Sequence, residues 1–168
     1  MPGSPFPAPM SDSPATASTV RLAALDILAR REHSARELQE KLQTRFPQLS
    51  AQDLIAPVLA RLQEEGLQSD RRFAEAWVHY RGSRGMGPVK IAQELRGKGI
   101  ERSLLREVLY ADIDWEERCL EVLQRKFKIG ADSTPAERAR WQRFLAQRGF
   151  ESEQVRAALR KVAQIHDD

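Results

Sequence analysis

Gly82-Ser-Arg-Gly85-Met-Gly87-Pro-Val-Lys90 is the stretch of this 168-residue chain that comes nearest to a ligand-binding motif, because closely spaced glycines can turn backbone N–H groups toward an anion. A phosphate-binding loop, however, follows a strand and ends in Gly-Lys-Ser/Thr. Here a helical pattern precedes the glycines, and Pro88 removes a donor where one would be used. Gly82 to Gly85 also has the GXXG form that clamps RNA in KH domains, a fold that needs a sheet, and no part of this sequence alternates as a strand would. An interhelical turn is the expected role.

Other reactive side chains lack the company that chemistry requires. His33, His79 and His166 stand apart, without His-Glu-x-x-His or Cys/His spacing, so no metal site is expected. Cys119 has no histidine near it in sequence, there is no Gly-x-Ser-x-Gly elbow, and a single cysteine cannot form an internal disulfide. Asp112, Asp114, Glu116 and Glu117 fall at the start of a helix, where negative charge suits the dipole, rather than opposed across a cleft. The reading is a protein with no catalytic residues, no cofactor and no small-molecule substrate.

What remains is a basic track of Arg81, Arg84, Lys90, Arg96, Lys98, Arg102 and Arg106, whose side chains can bind phosphates or carboxylates. Net charge is only +3, but it is uneven. Residues 18–69 balance seven basic against seven acidic side chains, residues 70–113 hold nine against six, and residues 114–168 hold eleven against ten. The middle segment carries the excess. Such a bias favours DNA or an acidic protein face, and a solvated helix surface would have the same composition.

Helices must position these groups. Residues 1–17, with five prolines, read as a disordered tail. A first helix is expected from about Thr19 to Arg31, with Val20, Leu22, Ala24, Leu25 and Leu28 on its apolar stripe. Ser34 and Glu37 form a capping box for a second helix, and a third runs from about Ala51 to Glu65, with Pro57 inside it and Gly66 as a left-handed cap. Ser69 and Asp70 cap a helix that lines Phe73, Trp77 and Tyr80 along a core face and breaks at Gly82, Gly85 and Gly87. Pro88 opens the next, which Gly99 stops, and Glu101 to Tyr110 follows with Leu104, Leu105, Val108 and Leu109 buried. The last three helices cover Asp114 to Lys128, Thr134 to Gln147 with a second capping box, and Ser152 to Ile165.

A repeat organises these helices. Leu95, Gly99, Ile100, Glu101, Leu105 and Leu109 recur fifty residues later as Leu145, Gly149, Phe150, Glu151, Val155 and Leu159. Phe73, Trp77 and Ile91 pair likewise with Leu123, Phe127 and Trp141. The fold class is therefore all-α, with three-helix units at 18–69, 70–113 and 114–168. No apolar run reaches the length of a membrane span and the start lacks the pattern of a signal peptide, so a cytoplasmic protein is expected.

Leu28, Arg31, Ser34, Glu37, Leu38 and Leu42, then Gly66, Leu67, Asp70, Phe73 and Ala74, and above all Arg72-Phe-Ala-Glu, Arg81, Arg84, Gly85, Gly87, Ile91, Glu94-Leu95 and Gly99-Ile100 make the chain resemble the RecX family over about residues 20–165. It departs from the family's pattern at Gln68, Ser69 and Asp70, where an apolar residue and two acids are common, and the proline-rich tail lies outside it. The resemblance implies tandem three-helix repeats in an elongated, curved body without catalytic activity. It implies binding to RecA filaments on DNA, lodged in their helical groove, and lowered filament growth, ATPase, strand-exchange and coprotease activities. Weak contact with DNA is implied as well. Arg81, Arg84, Lys90 and Arg96 match motif-region positions of the family. A helix-turn-helix DNA-binding protein is the alternative, because three short helices with a basic third one fit that motif too. Against it, Glu101 to Leu109 offers only Arg102 and Arg106, beside two glutamates, for reading bases.

Overall fold

The computed structural model describes residues 14–130 and 132–165, and all regular structure among them is helical. They fall into two compact units that meet in sequence between Asp70 and Arg71. The expected tail at residues 1–13, and His166, lie outside the described residues.

In the first unit, α1 (Pro14–Arg30), α2 (Ala35–Arg45) and α3 (Ala56–Glu64) enclose Val20, Ala24, Leu38, Leu42, Ile55 and Leu62, each fully buried. Helix α1 starts five residues before the expected Thr19, so 14–17 are helical rather than tail. A proline in the first turn costs nothing, because its missing N–H would be unpaired there. Leu22, expected on the apolar stripe, is exposed, and Ala23 is buried in its place.

Pro57 neither frays nor kinks a single helix. A π-helical turn, Ala51–Ile55, precedes α3, with Ile55 N and Ala56 N reaching back five residues to Ser50 O and Ala51 O. The wider turn shifts the ladder by one residue and places Pro57 in the first turn of α3, where no donor is required. The Ser34–Glu37 capping box forms, and Gly66 takes φ 71°.

In the second unit, α4 (Asp70–Ser83), α5 (Pro88–Gly97) and α6 (Arg102–Tyr110) are followed by α7 (Trp115–Lys126), α8 (Pro135–Gln147) and α9 (Ser152–Ile165). All six share one core, in which Phe73, Ile91, Leu95 and Leu105 lie with Leu123, Trp141, Leu145 and Val155. These are the fifty-offset pairs. At both copies the middle helix ends alike: Gly99 N donates to Arg96 O and Ile100 N to Leu95 O, as Gly149 N does to Ala146 O and Phe150 N to Leu145 O. Gly99 and Gly149 hold φ of 81° and 92°, the left-handed conformation that closes a helix C-terminus.

The structure departs from the expected pattern at three further points. Gly82 lies within α4 and does not break it. Tyr80 is exposed, since α4 turns its core face through Phe73, Ala74 and Val78. Helix α7 stops at Lys126, where Phe127 turns to extended backbone, and so ends before Gly130.

Candidate partner-binding surface

The glycine loop at Gly82–Gly87 spends its donors on the protein itself. Gly85 N donates to Gly82 O and Met86 N to Arg81 O, while Gly87 N reaches Arg148 O at 2.8 Å and Val89 N reaches Gly149 O at 2.9 Å. The loop is thus an interhelical turn that docks on the α8–α9 turn. That docking needs glycine on both sides: a Cβ on Gly87 would sit 2.4 Å from the Gly149 carbonyl carbon, and one on Gly149 would sit 2.4 Å from Lys90 Cβ.

The seven residues of the basic track are not one cluster. Arg81 donates to Glu94 through Nε and Nη2, one edge of its guanidinium, at 3.0 and 2.7 Å, and Trp77 Nε1 donates to the same carboxylate at 2.9 Å. This pair is largely buried, and its charge is spent inside the unit. Burial pushes the Glu94 carboxyl up, and the bonds from Arg81 and Trp77 outweigh it, leaving the group below its ordinary range. Lys98 Nζ lies 4.6 Å from the centre of the Trp77 ring, at the same network. Lys90 is half-buried against Gly149. Arg96, Arg102 and Arg106 are exposed, the last two one turn apart on α6. Arg84 is also exposed, with its guanidinium 4.6 Å from the Tyr80 ring centre.

Tertiary structure adds cations that sequence reasoning passed over. Arg118 of α7 packs its guanidinium on Gly82, and Arg148, the residue that caps the C-terminus of α8, donates to the backbone carbonyl of Arg84 at 3.4 Å. From that corner, Arg118, Val122 and Lys126 run down α7 at four-residue spacing, and Arg140, Phe144 and Arg148 run along α8 at the same spacing. Arg148 and Lys126 both lie over Phe144, at 5.2 and 6.0 Å, and Arg140 lies 5.3 Å from the centre of Phe127. A sequence signal for these existed. Residues 138–150 contain Arg138, Arg140, Arg143 and Arg148 and no acid, but counting charge over the whole of 114–168 hid it under acids elsewhere.

Cys119 is fully buried, and its thiol is pushed up to about 12 by that burial. His33 is buried with Nδ1 2.9 Å from Arg31 O, while His79 is exposed on α4. Among the described residues, no three His, Cys, Asp or Glu side chains group as metal ligands would, and no helix is long and apolar enough to cross a membrane.

The departure at Gln68–Asp70 proves to be a polar junction of the first unit. Gln68 is buried and donates to His33 O at 3.0 Å and to Asp70 Oδ1 at 3.2 Å. Asp70 Oδ1 also accepts from Ala35 N at 2.8 Å, so this carboxylate, expected to cap α4, serves the first turn of α2.

Residues 69–109 match the family model described as the second three-helix domain of RecX, and residues 112–159 match the third. The chain is 45% identical over 150 residues to "Regulatory protein RecX" of Halorhodospira halophila, covering 89% of this chain and 91% of that protein. It is 43% identical to the protein of the same name from Pseudomonas entomophila, covering 83% and 89%. The crystal structure of RecX from Lactobacillus salivarius superposes with a TM-score of 0.74 at 19% identity, covering 89% of this chain and 98% of that one, a likeness of fold.

Proposed function

This chain belongs to the RecX family, and from that premise we propose that it is a non-enzymatic regulator that binds RecA-type recombinase filaments on DNA and restrains their growth, ATPase, strand-exchange and coprotease activities. The observation that carries the reading is identity of 45% along nearly the whole of a relative named as a regulatory protein. Its chemistry fits. Helical units with exposed arginines and a buried, unreactive thiol suit contact with another macromolecule better than turnover of a small one. The same reading places the protein in the cytoplasm, where such filaments form, with weak and sequence-independent DNA contact.

Titration into a cognate recombinase hydrolysing ATP on single-stranded DNA tests it. The rate is expected to fall at substoichiometric amounts of the protein. An unchanged rate across the full titration, with no binding to filaments, defeats the proposal. Tight, salt-insensitive binding to one duplex sequence would instead favour a helix-turn-helix reader. Helix α6 argues against that outcome, because its exposed Arg102 and Arg106 come with no exposed Asn or Gln.

A further inference from the structure

Most arginines of the second unit that sit near carboxylates are neutralised by them: Arg71 pairs with Glu107, Arg81 with Glu94, Arg125 with Glu121 and Arg156 with Glu153. A different set lies on aromatic rings instead. Arg84 is over Tyr80, Arg118 over Trp115, Arg148 and Lys126 over Phe144, and Arg140 over Phe127. Among the described residues, none of these cations is within ion-pair distance of a carboxylate. A ring face holds a guanidinium in place by quadrupole attraction while leaving the N–H edge and the full charge available.

Four of these side chains run together. Arg118 and Arg148 flank the Gly82–Gly85 turn, where Arg148 donates to the backbone carbonyl of Arg84, Arg148 shares the Phe144 ring with Lys126, and Phe144 stands edge-on to Phe127, under Arg140, at 5.3 Å. From Arg140 to Arg148 the strip follows α8 for about 12 Å, at 1.5 Å rise per residue.

The geometry points to a phosphodiester-binding strip formed by Arg118, Lys126, Arg140 and Arg148 of the last repeat, beside the α4–α5 turn, along which the backbone of a nucleic acid lies. A phosphate backbone is favoured over an acidic protein face because the strip supplies cations without the desolvated apolar centre of a protein interface. Its rings are covered by the cations, and Phe127 and Phe144 are only partly exposed. The inference rests on the proposed function for its setting and deepens the weak DNA contact there, moving it from the basic middle segment to a surface of the last repeat.

Salt-dependent binding of the full chain to a fluorescent single-stranded oligonucleotide tests this. With four cations engaged, the plot of log K against log salt should have a slope of about −2.8, from about 0.7 per phosphate contact on single strands. Replacing Arg118, Arg140 and Arg148 together by Gln should reduce that slope by about 2, and replacing all three by Lys should restore most of it. Gln at Arg102 and Arg106 should leave it unchanged. A folded triple Gln variant with the wild-type slope overturns the inference, as does a slope lost through Arg102 and Arg106 instead. A triple variant that binds DNA normally but no longer slows the filament ATPase assigns the strip to the protein partner, which also overturns it. If wild-type protein leaves the ATPase unchanged yet binds DNA through the strip, the regulatory reading fails and the strip stands.

Discussion

Arg81 and Arg84 lie one helical turn apart and meet opposite fates, because Glu94 is within reach of one and only the Tyr80 ring within reach of the other. Arg81 is therefore a packing residue with a charge. Glu94→Gln keeps the shape but sets an amide nitrogen, which cannot accept, against Arg81 or Trp77 and leaves a neutral acceptor for the rest, and is expected to lower stability by about 1.5–3 kcal/mol in urea unfolding at pH 7, whereas Arg102→Gln stays within about 0.5 kcal/mol. Since the Glu94 carboxyl lies below its ordinary 4.5, its contribution is fully present above that pH and is lost as pH falls through the folded value. The gap between wild type and Glu94→Gln should accordingly narrow on acidification below pH 4.5. At Cys119, whose thiol is raised to about 12 by burial, iodoacetamide at pH 8 should modify the denatured chain and spare the native one.

At the scale of elements, turns are where glycine is needed and helices are where it is not. Gly149→Ala combines a φ of 92° with a Cβ 2.4 Å from that of Lys90, both fixed by the docking of α5 on the α8–α9 turn. Thermal unfolding should show a loss of more than about 2 kcal/mol, the strain of the left-handed region plus a backbone shift. Gly97, in the last turn of α5, has open space around it, and Gly97→Ala should be neutral or stabilising by up to about 1 kcal/mol. What separates the two glycines is the left-handed backbone at Gly149 and the neighbour that arrives there from the other repeat.

Across the whole molecule, the first unit has its own core and the last two repeats share another. Leu145→Ala, at a fully buried site, is expected to cost about 2–5 kcal/mol. Because the core is shared, hydrogen exchange should speed up in α4–α6 as well as in α7–α9, while α1–α3 keep their protection.

The helices, the paired glycine turns and the fifty-residue repeat were legible in the chain, because apolar spacing and capping chemistry are local and a helix expresses them within a turn or two. Leu95 and Leu145 announce their burial by period alone. The sequence by itself also argued the glycine loop down to a turn, since Pro88 is a local fact. The fate of each charge was not local. Whether an arginine is neutralised depends on which carboxylate or ring a distant helix brings beside it, so the basic middle segment lost Arg81 to Glu94, and the last repeat, nearly neutral in composition, supplied Arg118 and Arg148 to the corner at Gly85. Composition sums charges along the chain. Packing decides which of them face one another, and only that decides which remain to meet a partner.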